Sequence, residues 1–253
     1  MKRISRATGA AALAAAAALA ALPAAAQTGD WSFQITPYVW ATGLGGDLTL
    51  GGRRVTIDKS FSELIGDLDG ALFVSGFARN DRAVFLGDVS WSSSSRAGVL
   101  PGPAPLPARG RLRQASVTLA AGYRLVEGPG ASVDVLGGLR HWRLSASASA
   151  PPVPGVFPGL SESRSASFTD PLLAARFNAE IAPGWSTLLY TDIGGFGIGS
   201  RTSVQVMATV NYHVSDQVVL SAGYRHLQVD YRSNTLDADM RLSGPIFGAT
   251  FRF

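Results

Sequence analysis

The chain has 253 residues and no cysteine, which excludes disulfide bonds and a lipid-modified cysteine. Its 22 lysines and arginines exceed its 18 aspartates and glutamates, but Lys2, Arg3 and Arg6 all lie at the start of the chain. Without these three the balance is 19 against 18. The rest of the chain is therefore close to neutral, and we expect no nucleic-acid partner.

The first 26 residues predict an export signal. The basic start is followed by an Ala/Leu-rich run over Ala10–Leu22, and Ala24–Ala26 supply the small residues that precede a cleavage site. This run is shorter than the about 20 apolar residues that a membrane-spanning helix needs. We expect residues 1–26 to be removed as a signal peptide and residues 27–253 to form the mature domain.

Alternation of apolar and polar residues recurs along the mature chain. In Arg113–Leu125, for example, Val117 and Leu119 share one parity, while Ser116 and Thr118 share the other. Successive strand residues point to opposite faces, so such a segment predicts a strand with one apolar and one polar face. Ten strands are predicted in this way: 31–41, 71–79, 83–95, 113–125, 131–144, 168–181, 185–196, 203–213, 218–231 and 236–253.

One of these strands departs from a single alternation. In Val218–Tyr231 the apolar residues change parity near Tyr224. A β-bulge would shift the facing of every later residue by one position, whereas a girdle position at the membrane boundary would not. The sequence leaves both explanations open.

The connections support a barrel. No later segment has the about 18 continuous apolar residues of a spanning helix, so a membrane location would require a closed sheet. Short turns at 80–82, 127–130, 182–184 and 215–216 alternate with longer links. We therefore predict an all-β protein, an antiparallel up-and-down transmembrane β-barrel of about ten strands with short periplasmic turns and longer extracellular loops. The longer links are 42–69, 96–111 and 146–167, with 197–201 and 232–237 as shorter members of the set.

Three of these links have features of their own. Residues 42–69 predict a small hairpin around Gly51-Gly52 and then a short helix near Ser60. This first extracellular link would either plug the barrel mouth or extend the first two strands. Pro101–Pro107 and Pro151–Pro158 are proline-rich. Because proline cannot donate to a sheet, we expect both outside the barrel wall, as stiff surface loops or as an adhesive surface.

The segment Gly244–Phe253 has one aromatic face. Phe247, Phe251 and Phe253 share one parity, while Arg252 lies on the other. Aromatic girdles at both membrane interfaces are typical of outer-membrane barrels. The pattern therefore predicts that the phenylalanines face lipid and that Arg252 faces the lumen.

Charged residues of both signs fall on the predicted inner face. Unpaired charge inside a narrow barrel is costly, so we expect cross-strand ion pairs. Such a network would either fill a closed barrel or line a narrow path for a small solute. The residues assigned to this lumen network are Asp88, Arg124, Asp134, Arg140, Arg176, Glu180, Asp192 and Arg252.

The sequence gives little support for catalysis. His213 and Ser215 are two residues apart and would share a strand face, as a serine nucleophile and its base could. Their place beside a predicted periplasmic turn favours a simple interfacial role. We expect no metal site and no cofactor, because no cluster has metal-ligand spacing.

Four stretches carry a resemblance to known proteins: Trp31–Trp40, Ser60–Leu64, Gly223–Tyr231 and Gly244–Phe253. They resemble a proteobacterial family of small outer-membrane β-barrel proteins of unassigned function. The resemblance implies a Gram-negative outer membrane, with outer-membrane lipid and lipopolysaccharide around the barrel. It also implies that Phe247, Phe251 and Phe253 form the signal read by the outer-membrane assembly machinery, and it implies no catalytic residue.

The expected function is non-enzymatic: a structural or surface role, or narrow passage of small solutes. Two alternatives remain open. One is an outer-membrane enzyme that hydrolyses lipid or peptide, and the other is an adhesion or binding module that uses the extracellular loops.

Overall fold

Twelve β-strands make up the described part of the chain. The computed structural model describes residues 31–50, 53–59, 67–100, 106–154, 157–232 and 236–253. Within them, no helix is long and apolar enough to cross a membrane. The strands are β1 (Trp31–Trp40), β2 (Gly43–Leu50), β3 (Arg53–Lys59), β4 (Leu68–Asn80), β5 (Ala83–Leu100), β6 (Leu106–Gly128), β7 (Ala131–Ala150), β8 (Leu160–Ala182), β9 (Trp185–Gly194), β10 (Thr202–His213), β11 (Val218–Arg232) and β12 (Leu236–Arg252).

Ten of these strands close a barrel. They follow one another in the order β1, β4, β5 and so on to β12, and every neighbouring pair is antiparallel. β1 closes the ring against β12, from Gln34↔Arg252 to Trp40↔Ile246. Backbone hydrogen bonds between Phe33 and Phe253, of 3.1 and 2.9 Å, continue this seam. The predicted ten-stranded antiparallel barrel is confirmed.

The outer wall carries a belt of exposed apolar side chains. Leu119, Leu139 and Leu173 on three adjacent strands are 65, 55 and 61% exposed. Phe247 of β12 and Phe253, the residue after this strand, are 54 and 47% exposed, whereas Ile246 and Thr250 on the other parity of the strand are buried. Apolar side chains outside and polar side chains inside are the arrangement of a barrel surrounded by lipid.

Several strands continue far beyond the belt. β6 and β8 have 23 residues each, more than twice the about 9–11 that cross a bilayer. The extensions lie at the end opposite the short turns, so the links there are shorter than predicted. The sequence hides these extensions because Ser- and Arg-rich segments such as Ser161–Ser165 are polar on both faces. Backbone pairing continues there without a period-two signal.

One consequence concerns the first proline-rich segment. Leu106 and Pro107 belong to β6, where Pro107 pairs with Val99, so the prediction that the whole segment lies outside the wall is wrong. Pro107 lies beyond the last β6–β7 pair, Arg109↔Ser149, and proline is tolerated where a strand has one neighbour only. Residues 101–105 lie outside the described residues.

The first link extends the wall. β2 continues along β12 from Gly43↔Ser243 to Leu50↔Leu236, and β3 pairs with β2. The ladder is interrupted between β1 and β2 because Pro245 opposite has no N–H to donate. The predicted short helix falls on residues 60–66, which lie outside the described residues.

Candidate functional site

A layer of buried apolar side chains fills the extracellular half of the barrel. Trp142, Leu227 and Val229 are 1, 2 and 0% exposed, and their strands lie on different sides of the barrel. Two strands separate Phe168 from Tyr231, yet their rings stack at 4.2 Å between centroids. The wall itself supplies these side chains, so this closure does not depend on a loop. The full layer is Tyr38, Trp40, Phe73, Trp142, Leu144, Phe168, Leu227, Val229, Ala238, Met240, Leu242 and Ile246.

This layer explains the change of parity in β11. The pairing of β11 with β12 runs without a break from Val218 to Arg232, so the bulge considered for this strand is absent. Leu220 and Tyr224 are exposed to lipid, whereas Leu227 and Val229 point inward on the opposite parity. Above the membrane the outer face of the strand meets water and its inner face meets the apolar layer. The apolar side chains therefore change from the outer to the inner face.

Beneath this layer, Arg225 joins three other strands. Its Nη1 donates to the Tyr38 hydroxyl at 2.7 Å, while its Nε and Nη2 donate to Gln205 Oε1 at 3.0 and 2.7 Å. The Tyr38 hydroxyl donates to Asp88 Oδ2 at 2.8 Å. The guanidinium also lies 4.5 Å from the centre of the Trp40 ring. Arg225 is 3% exposed, so this group is fixed inside the barrel.

A second group joins β7 to β9 across β8. Arg140 Nη1 donates to Asp192 Oδ1 at 3.0 Å, and Nη2 donates to Oδ2. Its Nε donates to Thr118 at 3.0 Å. Both charged residues are 2% exposed, and the two parallel bonds are the preferred geometry between arginine and a carboxylate.

The third group lies nearer the periplasmic turns. Arg124, Asp134 and Arg176 are direct neighbours on β6, β7 and β8. Asp134 accepts from Arg124 Nε at 2.7 Å and from Arg176 Nη1 at 3.1 Å. Arg176 also lies 4.2 Å from the centre of the Phe77 ring, which projects from β4 on the far side of the lumen. Two arginines therefore share one buried carboxylate.

The remaining two predicted network residues lie apart from these groups. Arg252 lies on the inner side of β12 at the periplasmic end, where it makes no ion pair with a described residue. Its Nε is shielded from solvent and has no hydrogen-bond partner among the described residues. Glu180 is exposed beside the turn after β8.

Sequence reasoning missed Arg225, which lies at the centre of the first group. The assumed break at Tyr224 left its facing open, although an uninterrupted alternation from Val219 would have placed it inside. Asp170 is also fully buried, and it accepts from the Ser200 backbone N–H at 2.6 Å and from the Ser200 hydroxyl at 2.9 Å. It fixes the β9–β10 connection.

The groups surround a cavity of about 330 Å³ that reaches the periplasmic end of the barrel. Its lining includes Ser32, Arg79 and Ser132, which lie close to the terminal seam and to the short turns. Six arginines and one aspartate line it. The charged members are Arg79, Asp88, Arg124, Arg140, Arg176, Arg225 and Arg252.

The histidines contact hydroxyl groups, and the His213–Ser215 pair considered as a nucleophile and its base is not formed. His213 Nε2 lies 2.9 Å from the hydroxyl of Ser186 on the neighbouring strand β9, and the structure gives no bond from it to Ser215. His141 faces outward, with its ring nitrogens 2.9 Å from Thr169 and 3.2 Å from Ser167. Among the described residues, no histidine hydrogen-bonds a carboxylate, and no group of three or more candidate side chains is placed to hold a metal ion.

Arginines also project from the outer wall directly above the belt. Arg143 lies in the cross-strand row of Trp91, and Arg113, Arg111 and Arg109 follow in successive rows towards the extracellular end. Arg111 approaches Asp69 at 4.0 Å. The residues between them are mostly serines of β7 and β8. We refer to Arg109, Arg111, Arg113 and Arg143 as the outer arginine patch.

Comparison with known proteins bears on the fold. No family model matches this sequence, and a search of curated proteins finds no match. The structure resembles the outer-membrane protease OmpT of Escherichia coli, with a TM-score of 0.53 and 11% identity over 89% of this chain and 98% of that one. It also resembles the translocator domain of the autotransporter NalP from Neisseria meningitidis, with a TM-score of 0.51 and 12% identity over 98% of each chain.

At these identities the likeness concerns the fold alone. It is a likeness to closed barrels of the Gram-negative outer membrane, and the lipid-facing belt of this chain agrees with it. The protein is therefore a small β-barrel of the outer membrane.

Proposed function

We propose that this protein is a sealed, non-enzymatic outer-membrane barrel that conducts no solute and acts through its outer surface. The apolar layer is the observation that carries this proposal. A hydrated solute would have to shed its water to enter a layer in which Trp142, Leu227 and Val229 are at most 2% exposed. Desolvating a polar group without new hydrogen bonds costs about 2–7 kcal/mol, and an ion costs far more.

The layer beneath supports the same conclusion. Arg225 and Asp88 approach to 3.6 Å across the lumen, and Arg176 lies against Phe77 from the far wall. Barrels with few strands have interiors just wide enough for side chains to fill. Passage would therefore require these cross-lumen contacts to break and the apolar layer to separate as well.

The outer arginine patch gives the surface role a location. Aromatic residues such as Trp91 mark a membrane interface, so Arg143 and Arg113 lie at or just above the outer-leaflet headgroups. In a Gram-negative outer membrane those headgroups are the phosphates of lipopolysaccharide. Arginine binds phosphate with two parallel hydrogen bonds, and each basic residue near an anionic surface contributes about 1 kcal/mol. Lipopolysaccharide is thus the proposed partner.

The non-enzymatic part of the proposal is supported by the histidine contacts. A serine hydrolase orients its histidine through a third group, most often a carboxylate. His141 contacts the Ser167 hydroxyl through Nε2, but the group beside its other nitrogen is the hydroxyl of Thr169, which is not a carboxylate. Lipid analysis of a deletion strain tests this part, since altered acylation of outer-membrane lipids would contradict it. Single-channel recording tests the sealed barrel.

A further inference from the structure

The cavity on the periplasmic side of the barrel holds more positive than negative charge. Six arginines line it, and they meet four carboxylates at ion-pair distance: Asp88, Asp134, Asp192 and Glu127. Glu127 is itself exposed at the rim, where it contacts Arg79 at 3.1 Å and Arg124 at 3.2 Å. Two positive charges therefore lack a counter-charge.

The excess is concentrated at the periplasmic mouth. Asp134 is shared between Arg124 and Arg176. Arg124, Arg176 and Arg252 all line this cavity, so three cations face the same space. Neither Asp216 nor Glu180, the carboxylates of the nearby rim, forms an ion pair with Arg252.

Excess charge of this kind is costly where water is restricted. A buried charge requires a partner, and an arginine with a shielded, unbonded Nε forfeits one of its five donors. A small anion between Arg252 and Arg176 would supply both the missing charge and the missing acceptor. Carboxylates and phosphates have the geometry that guanidinium groups bind best.

We propose that this cavity is a binding site for a small anion that carries a phosphate or carboxylate group and enters from the periplasm. The volume of about 330 Å³ lies at the lower end of the range for small-molecule sites. Ser32, Ser132 and Asn178 line the same end of the cavity and add neutral donors. The apolar layer closes the other end, so the anion binds and leaves on one side. The site does not depend on whether the barrel conducts.

Calorimetric titration of the folded barrel in zwitterionic detergent at low ionic strength tests the site, with inorganic phosphate and succinate as separate probes. We expect saturable one-to-one binding of at least one probe, weakened by added salt. Arg252→Gln should weaken this binding about 10-fold or more, because a charged hydrogen-bond pair is lost. Arg241→Gln is the matched control, since Arg241 lies on the same strand, faces outward and contacts Asp239.

Arg176→Gln is a second variant that should also weaken anion binding. We expect it to fold, because Arg124 still pairs with Asp134 when Arg176 is replaced. It keeps the test decisive if Arg252→Gln does not fold. Binding of phosphate alone or of succinate alone supports the site and assigns its preferred anion. Absence of saturable binding to the unmodified barrel, or equal binding by folded Arg252→Gln and by the control, would overturn the proposal.

Discussion

Arg225 and Asp88 approach to 3.6 Å although three strands separate β11 from β5 along the shorter way around the wall. Tyr38 joins them, with 2.7 Å from Arg225 and 2.8 Å to Asp88. The contact crosses most of the lumen. It ties opposite walls together directly beneath the apolar layer.

Replacing Arg225 should therefore destabilise the whole barrel. Arg225→Met leaves the mostly buried Asp88 carboxylate and the buried Gln205 amide without their cation, and removing one partner of a buried pair costs about 3–5 kcal/mol. Urea unfolding of the protein in lipid vesicles measures this cost. Arg241→Met removes an exposed arginine from the outer wall, and its free energy of unfolding should stay within about 0.5 kcal/mol of the parent. Equal losses in the two variants would contradict the cross-lumen role.

The apolar layer can be tested on a single strand. Phe168 and Phe177 both lie on β8, but Phe168 is 8% exposed inside the barrel and Phe177 is 40% exposed on the wall. Phe168→Ala should cost about 3–5 kcal/mol, as a large-to-small change in a core does. Phe177→Ala should cost much less, because lipid chains replace the lost contacts. The same unfolding assay separates them, and a larger loss for Phe177→Ala would argue against a packed interior.

Membrane boundaries can be tested on β11. Ala222 lies opposite Val210 and Phe247 in the lipid-facing belt, whereas Gln228 lies opposite Arg241 above it. Ala222→Arg should cost about 2–4 kcal/mol, the penalty for arginine at the bilayer centre, while Gln228→Arg should cost about 0–1 kcal/mol. Similar penalties at both positions would show that the membrane boundary does not lie between Ala222 and Gln228.

Replacing arginines of the outer arginine patch should weaken the binding of lipopolysaccharide. In native mass spectrometry, the Arg113→Gln/Arg143→Gln variant should retain lipopolysaccharide about 10-fold or more weakly than the parent protein, since two charges near the headgroups are lost. Arg164→Gln/Arg241→Gln is the matched control, because both of its arginines are exposed and contact a carboxylate.

Dephosphorylated lipid A provides a second arm of this experiment. It should bind the parent and the patch variant equally weakly, since the proposed contact is to phosphate. Undiminished retention of phosphorylated lipopolysaccharide by the patch variant would exclude the patch as its site.

The sequence predicts the lipid-facing parts of the wall well because one face must be apolar there. Arg113–Leu125 and Gly244–Phe253 alternate as the structure does, with Leu119 and Phe247 outside and Thr118 and Thr250 inside. Inner and outer environments differ across such a segment, so period two is strong. Strand number and the positions of the short turns follow from the same signal.

The signal weakens where the strands leave the membrane. Above the belt, water lies outside and the apolar layer lies inside, so Leu227 and Val229 reverse the parity set by Leu220. Ser145 and Ser147 of β7 are polar neighbours on a wall that water surrounds, and only backbone pairing keeps them extended. Which lumen charges meet is set by side-chain reach across several strands. No pattern along one strand contains that information, which is why the partners of Arg225 were missed.

Single-channel recording of the folded protein in planar lipid bilayers tests the sealed barrel most directly. Insertion is verified independently by heat-modifiable migration on gels and by β-type circular dichroism. We expect no conductance steps from the inserted protein, because the apolar layer and the Arg225 group close the lumen at two levels. Reproducible steps from correctly folded, inserted protein would contradict the sealed barrel and favour a solute path through the lumen.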